Sequence, residues 1–321
     1  MAGTAELPSV IFLMGPTASG KTAAACWLAD RFDVELVSVD SALVYCGLDI
    51  GTAKPGPALL QKYPHHLLDL RDPAASYSAA EFRTDALEII DKIHARGRIP
   101  LLVGGTGLYF RVLEHGIAEL PSGDRETRKR LEEELQSLGL AALHARLARI
   151  DPSSASRIHM NDPQRTVRAL EVYELTGRTM SVLLRETPRV TAPFKVTKLL
   201  LLPSDRVRLH ERIARRFQAM LAAGFINEVA GLRDRGDLGL DNSALRAVGY
   251  RAVWSYLAGE YDFAEMTNRG IIATRQLAKR QITWFRAVGE AGVVDCEDTT
   301  ARQQLTMALK SHLQYNAAQG R

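Results

Sequence analysis

A glycine-rich loop near the start of the chain restricts the fold more than any other part of the sequence. Residues 15–22 match the phosphate-binding pattern G-x-x-x-x-G-K-[ST]. The apolar run 10–14 predicts a buried strand before this P-loop, and the run 22–29 predicts a helix after it, which is the context that the pattern requires. Inward N–H groups, the helix N-terminus and a lysine would attract anions. We predict that a polyphosphate binds Gly15, Pro16, Thr17, Ala18, Ser19, Gly20, Lys21 and Thr22.

Strand and helix patterns alternate between residues 9 and 115. The apolar runs 35–39 and 99–103 predict further strands. This alternation predicts an α/β fold of the P-loop NTPase type, with a parallel sheet and helices flanking both faces. Functional residues of such folds cluster at the carboxyl ends of the strands. We therefore expect the P-loop, Asp40 and Thr106 to meet in one crevice.

The pattern changes near residue 121, and residues 124–187 are charged and helical with almost no strand signal. An apolar run at 198–202 predicts a return to the core sheet, after which helices dominate. We therefore predict three segments. Residues 1–118 form the first part of the P-loop catalytic core, 119–192 form a helical insertion domain, and 193–321 form the second part of the core with a basic helical C-terminal region.

Composition excludes several classes of protein. In 321 residues, no apolar run reaches the roughly 20 residues that a membrane-spanning helix needs. The three cysteines, Cys26, Cys46 and Cys296, are scattered without a C-x-x-C pair. That spacing argues against a zinc module or a disulfide framework and suits a reducing compartment. We expect a cytoplasmic protein with no membrane contact, and nothing in the sequence demands more than a monomer.

The P-loop alone does not define a reaction. NTP hydrolases also need an acidic residue at the end of an apolar strand to hold Mg²⁺. The strand predicted at 101–103 ends instead in Gly104-Gly105-Thr106, and Asp40 is the strand-end acid of the predicted core. This pattern favours a small-molecule kinase or another transferase that consumes a polyphosphate over a motor or a GTPase switch.

Eight segments of the chain carry a resemblance to a known family. In chain order they are 15–22, 39–45, 49–55, 64–67, 103–109, 161–165, 246–251 and 274–281. Together they resemble the bacterial tRNA dimethylallyltransferases. The resemblance implies that dimethylallyl diphosphate donates its five-carbon group to N6 of adenosine 37 in the anticodon loop of tRNA, giving N6-dimethylallyladenosine and diphosphate. An adenylate isopentenyltransferase acting on free AMP, a P-loop small-molecule kinase and a non-catalytic RNA-binding protein are the alternatives.

Chemical roles follow from this implied reaction. Lys21 and the P-loop amides would stabilise the leaving diphosphate, with Mg²⁺ as the expected cofactor held by Thr22. Asp40 would orient the adenine amine and accept its proton, unless it only caps a following helix. Thr106 matches a family threonine at the reacting centre, although it could also cap the next helix.

Three arginines, Arg208, Arg212 and Arg216, recur every four residues and share one face of a predicted helix. Such a stripe is usually a solvated surface. The family's Arg-Phe pair matches Arg216-Phe217, which implies that Arg216 binds the diphosphate, with Arg212 and Arg215 as weaker candidates.

The expected partners are the anticodon stem-loop of tRNA and dimethylallyl diphosphate. Glutamine can read a base edge, whereas arginine and lysine bind phosphates and give salt-dependent affinity. Arg128 corresponds to a family position near the RNA. The predicted tRNA-binding residues are Asp40, Ser41, Ala42, Leu43, Thr106, Arg128, Gln164, Arg165, Thr166, Val167, Arg168, Arg246, Ala247, Val248, Gly249, Tyr250, Arg251, Arg275, Lys279 and Arg280.

Overall fold

The computed structural model of the protein describes residues 7–118, 120–187 and 192–319. Its strands form one parallel sheet in the order β3-β2-β4-β1-β5-β6. The central strands are almost fully buried, as parallel strands covered on both faces must be. The strands are β1 (Ser9–Met14), β2 (Val34–Val39), β3 (His65–His66), β4 (Ile99–Gly104), β5 (Lys195–Leu202) and β6 (Gly292–Asp295).

Helices follow most of these strands, and the α/β class predicted from the sequence is confirmed. A short 3-10 helix covers Ala244–Arg246. The α-helices are α1 (Lys21–Ala29), α2 (Pro57–Lys62), α3 (Ala79–Ala95), α4 (Gly107–His115), α5 (Arg125–Leu138), α6 (Leu140–Ile150), α7 (Pro152–Arg157), α8 (Pro163–Thr176), α9 (Met180–Glu186), α10 (Arg206–Ala222), α11 (Phe225–Asp234), α12 (Tyr250–Leu257), α13 (Phe263–Arg286) and α14 (Ala301–Gln319).

Alternate residues of β1 point to opposite faces of the sheet and enter different apolar clusters. Phe12 packs with Phe82 of α3 and Phe110 of α4 on one face. Leu13 packs with Leu28 of α1 and Leu305 of α14 on the other. Burial of apolar area on both faces fixes the sheet between helical layers and leaves the strand ends open for ligands.

The chain divides into two compact units, one of Met1–Glu114 with Ala192–Arg321 and the other of His115–Thr191. The predicted insertion, 119–192, covers nearly the same residues as the second unit. That unit contains α5 to α9 around a small apolar core of its own. Its helix α8 begins and ends where the sequence indicates, because Asp162 accepts a hydrogen bond from Arg165 N and Gly177 takes a left-handed φ of 67°.

No helix within the described residues combines the length and the apolar character needed to cross a bilayer.

Candidate active site

A cavity of about 160 Å³ opens in the first unit, where the P-loop follows β1 and Asp40 follows β2. The segments that the sequence placed at strand ends therefore meet in space. The polar residues that line the cavity include Thr17, Lys21, Thr22, Asp40, Thr52 and Arg216, and the apolar ones include Leu43, Val103, Ile213, Phe217, Met220 and Leu277.

Lys21 is the first residue of α1, and Gly20 before it has a left-handed φ of 84° that favours glycine. The ammonium of Lys21 donates to Pro16 O at 2.8 Å. Burial lowers the pKa of Lys21 to about 8; the nearby carboxylate of Asp40 raises it, and the guanidinium of Arg216 lowers it. The lysine is thus a desolvated cation whose charge an incoming anion would stabilise.

Not every N–H group of the P-loop is free to bind an anion. Gly15 N donates to Gly104 O at 3.4 Å, Thr17 N to Gln281 Oε1 at 2.8 Å, and Ser19 N to Pro16 O at 3.3 Å. Ser19 is buried, and its hydroxyl finds no hydrogen-bond partner in the described part of the chain. The first N–H groups of α1 have no carbonyl one turn earlier in the helix, so they are the donors best suited to a diphosphate.

Asp40 does not cap a helix, so that alternative is wrong. Turns and a bridge follow it, and the next helix, α2, begins at Pro57. The Oδ1 atom of Asp40 accepts from Ala42 N at 2.9 Å, which holds the carboxylate at the cavity wall. Asp40 lines the same cavity as Lys21 and Arg216, and its charge raises the pKa of both cations against the effect of burial.

Thr106 joins the ends of β2 and β4. Its Oγ1 accepts from Ser41 N at 3.1 Å, and its carbonyl accepts from Tyr109 N at 3.0 Å in the first turn of α4. The hydroxyl therefore fixes the residue that follows Asp40. Thr106 itself stands one residue beyond Gly105, which lines the cavity.

The arginine stripe on α10 separates into three environments. Arg216 lines the cavity, its Nη2 lies 3.4 Å from Thr52 O, and burial lowers its pKa. Arg212 lies behind the P-loop, where its Nε donates to Ala18 O at 2.9 Å and its Nη1 contacts Glu297 at 2.7 Å. Arg208 is exposed. The sequence preference for Arg216 as the anion ligand fits this geometry.

Glu228 is a supporting residue that sequence reasoning missed. Its carboxylate accepts three successive backbone N–H groups, from Asp49 at 3.0 Å, Ile50 at 2.6 Å and Gly51 at 3.1 Å. Tyr250 donates its hydroxyl to the same carboxylate at 2.6 Å. These bonds fix the segment that forms one wall of the cavity. No local signal identifies Glu228, because its partners lie far away in the sequence.

Gln281 was also missed, although a helical signal was present. Thr274, Leu277 and Gln281 follow the three- and four-residue spacing of one helix face, and all three line the cavity. The amide of Gln281 contacts the P-loop on one side and Gly105 on the other.

The opposite side of α13 carries cations without local partners. Within the described residues, no carboxylate lies at ion-pair distance from Arg275, Lys279 or Arg280. Arg275 and Lys279 border a groove of about 280 Å³ together with Arg206 and His210 of α10. The Nε of Arg275 is buried without a partner among the described atoms. This surface is therefore electropositive.

Several arginines of the second unit form ion pairs within that unit. The fully buried carboxylate of Glu171 pairs with Arg128 at 3.0 Å and Arg168 at 2.7 Å. Arg165 pairs with Asp162 at 3.1 Å but is well exposed, as is Gln164. Arg128 and Arg168 therefore neutralise a buried carboxylate and stabilise the fold of the second unit.

Three residues predicted to bind tRNA have buried side chains, which corrects the prediction for those side chains. Thr166 is fully buried and donates its hydroxyl to Asp162 O at 2.8 Å, and Val167 packs into the core of the second unit. Tyr250 is fully buried in the first unit. None of these side chains presents a surface to an RNA.

The segment 246–251 contributes residues both to the cavity and to the exposed surface. Ala247 and Val248 line the cavity, whereas Arg246 and Arg251 are exposed. Gly249 between them has a φ of 98°, a conformation that favours glycine.

Comparisons with known proteins identify the family of the chain. The family model described as "IPP transferase" matches residues 43–288. A tRNA dimethylallyltransferase of Nitrosococcus oceani is 54% identical over 306 residues, which cover 94% of this chain and 98% of that protein. A tRNA dimethylallyltransferase of Alkalilimnicola ehrlichii is 59% identical over 279 residues, covering 87% of this chain and 88% of that protein.

Solved structures extend the similarity to the fold. A tRNA isopentenylpyrophosphate transferase of Bacillus halodurans matches with a TM-score of 0.71 and 35% identity, covering 98% of this chain and 99% of that one. A eukaryotic dimethylallyltransferase acting on tRNA matches with a TM-score of 0.80 and 27% identity, covering 96% of this chain and 80% of that one. The chain therefore belongs to the IPP transferase family, with the tRNA dimethylallyltransferases.

Proposed function

We propose that the protein transfers a dimethylallyl group from dimethylallyl diphosphate to N6 of adenosine 37 in the anticodon loop of tRNA. The products are N6-dimethylallyladenosine and diphosphate. One observation carries this proposal. The chain belongs to this family, and its cavity is lined by two cations, Lys21 and Arg216, together with the carboxylate of Asp40. Cations for a leaving diphosphate and a proton acceptor for an amine stand in one small space.

The cavity fits both ends of the donor. Lys21, Arg216 and the first N–H groups of α1 suit a diphosphate, whereas side chains such as Leu43, Val103 and Ile213 suit a five-carbon apolar chain. The allylic carbon tolerates positive charge as its bond to oxygen breaks. Negative charge then grows on the diphosphate, where the two cations stabilise it.

Asp40 is the proposed proton acceptor. An exocyclic adenine amine is a weak nucleophile, so orienting it and removing its proton both favour the transfer. The contact between Thr106 and Ser41 N fixes the chain beside this carboxylate. Asp40, Ser41, Ala42 and Leu43 are proposed to meet the target base.

Mg²⁺ is a proposed cofactor. It takes oxygen ligands and keeps some from substrate phosphates and water. Thr22 offers a hydroxyl to the cavity, while no group of three histidine, cysteine or acidic side chains suited to a metal occurs in the described residues. This hydroxyl fits an ion that the diphosphate largely holds. Such an ion would neutralise charge on the leaving group.

The proposed RNA-binding residues are those with available surface or cavity positions. Adenosine 37 must leave its stack before its amine can enter a protein pocket. Candidates for RNA contact are Thr106, Gln164, Arg165, Arg246, Ala247, Val248, Arg251, Arg275, Lys279 and Arg280, with backbone contact only at Gly249.

We propose that the enzyme acts as a cytoplasmic monomer.

The test offers labelled dimethylallyl diphosphate to the purified protein with anticodon stem-loop RNA or with AMP. We expect label in the RNA at adenosine 37 and none in AMP. Label in AMP alone, or consumption of ATP without prenylated RNA, would contradict the proposal.

The role of Asp40 is tested by Asp40→Asn, because asparagine can still accept from Ala42 N. We expect kcat to fall by about 100-fold or more, a far larger change than that in the Kd for RNA. Asp91→Asn on the exposed side of α3 is the matched control and is expected to behave as wild type. An equal loss of turnover and RNA affinity would argue against a proton acceptor.

A further inference from the structure

The side chain of Gln281 spans two loops that belong to opposite sides of the proposed reaction. Its Oε1 accepts from Thr17 N at 2.8 Å, and its Nε2 donates to Gly105 O at 2.9 Å. These partners lie 264 and 176 positions away in the sequence. Both contacts need the amide in one orientation, because the reversed amide would place donor against donor and acceptor against acceptor.

The approach of this amide is too close for a side chain at Gly105. A Cβ atom there would lie 2.4 Å from Nε2 of Gln281. A Cβ on Gly104 would lie 1.9 Å from Val39 O. The turn after β4 is therefore held between β2 on one side and α13 on the other, which leaves it little freedom to shift.

From this turn the contacts continue to Asp40. Thr106 N donates to Val39 O at 3.3 Å, and Thr106 Oγ1 accepts from Ser41 N at 3.1 Å. On the other side, Thr17 belongs to the loop that carries Lys21. Hydrogen bonds of Gln281 and Thr106, joined by the backbone between Gly105 and Thr106, thus connect the P-loop with the residue beside the proton acceptor.

We propose that Gln281 is a positioning residue that sets the distance and angle between the P-loop and the turn beside Asp40. The proposal rests on the proposed function, in which the loop holds the donor and the turn holds the acceptor. The Thr17 N–H group is committed to Gln281 and does not bind the diphosphate. Transfer between two bound substrates depends steeply on alignment, and a displacement near 1 Å costs about 100-fold in rate.

Gln281→Met tests the proposal because methionine has a similar length, cannot donate to Gly105 O and offers Thr17 N only a weak sulfur acceptor. At saturating donor and RNA, we expect the single-turnover rate to fall about 100-fold. The Kd for anticodon stem-loop RNA should stay within about twofold of wild type, because proposed phosphate contacts such as Lys279 and Arg280 lie outside the cavity that Gln281 lines.

Gln281→Glu separates the two contacts. The carboxylate can still accept from Thr17 N, but it has no proton for Gly105 O and adds negative charge to the donor cavity. We therefore expect a lower kcat together with a raised KM for dimethylallyl diphosphate, a change in KM that Gln281→Met should show only weakly.

A readout independent of catalysis is the exchange of the Thr17 amide hydrogen, followed by mass spectrometry or NMR. We expect faster exchange in Gln281→Met and nearly native exchange in Gln281→Glu. Gln303 on α14 is exposed, so Gln303→Met and Gln303→Glu are the matched controls and should keep native rates and exchange.

The inference is overturned if Gln281→Met keeps the native single-turnover rate per folded active site. It is also overturned if the loss of activity only follows a loss of folded protein, seen as an equal fall in donor turnover and RNA binding. If wild-type protein transfers no prenyl group, the proposed function fails instead, and the exchange of Thr17 still decides whether Gln281 holds the loop.

Discussion

Two basic regions looked alike in the sequence and differ in the structure. In the second unit, Arg128 and Arg168 both pair with the buried carboxylate of Glu171. On α13, Lys279 and Arg280 have no carboxylate partner within the described ranges 7–118, 120–187 and 192–319. The first pair of charges stabilises the protein that carries it, whereas the second is available to an RNA.

The difference shows that a cationic side chain is available to a ligand only when no neighbouring carboxylate already pairs with it. A phosphate must compete with Glu171 for Arg128 and Arg168, and separating them would leave a carboxylate unpaired in a buried site. Nothing comparable opposes a phosphate at Lys279. A count of arginines therefore overstates the RNA-binding surface of the second unit.

Removing both partners of Glu171 is expected to have the largest effect. Arg128→Met with Arg168→Met should lower the free energy of unfolding by about 3 kcal/mol, because it leaves a buried carboxylate without a counter-charge. Thermal unfolding and hydrogen exchange in α5 and α8 measure the change. Adding Glu171→Gln should restore most of the loss; if the double variant is as stable as wild type, the two arginines are not committed to Glu171.

Charge reversal on α13 is expected to have the next largest effect, now on binding. Lys279→Glu with Arg280→Glu should weaken tRNA affinity and lower the slope of its salt dependence by about two, roughly one for each lost phosphate contact. Filter binding over a range of salt concentrations measures the slope. The control is Arg302→Glu with Lys310→Glu on α14, which changes the charge equally; an unchanged slope in the α13 variant would remove that helix from the docking surface.

Lys21 provides a third case, a buried cation that forms no ion pair with a described residue. Its pKa of about 8 means that the free protein loses this charge as pH rises through that value. We expect kcat/KM for the donor to fall about tenfold per pH unit above it. Lys21→Arg, which stays charged, should remove this inflection from the pH profile even though its rate is lower; an inflection that persists would assign the titration to another group.

The smallest effect is expected at Arg165. Its side chain is 76% exposed beside Asp162, and an exposed ion pair contributes at most about 1 kcal/mol. RNA can therefore take this cation from its partner. Arg165→Ala should leave the melting temperature unchanged and reduce the salt slope of tRNA binding by about one. A lower melting temperature with unchanged tRNA binding would show that Arg165, like Arg128 and Arg168, stabilises the second unit instead of binding RNA.

Local sequence patterns predicted the sheet, the P-loop and the strand-end position of Asp40, because each depends on neighbouring residues. The burial of Val167 was also readable, since it shares a helix face with Leu170, three positions later. The roles of Gln281 and Glu228 were not readable, because each acts on backbone groups more than 170 positions away. Such contacts become visible only when distant segments have been brought together by the fold.

The support behind the P-loop has a consequence for how the protein is made. Arg212 holds Ala18 O from behind and is itself held by Glu297, just after β6. Helix α14 also packs Leu305 against the face of the sheet that α1 covers. The P-loop thus depends on residues that follow it by more than 270 positions in the chain. A nascent chain that stops before β6 lacks Glu297 and Leu305, so the support behind the loop is complete only after β6 and α14 have been made.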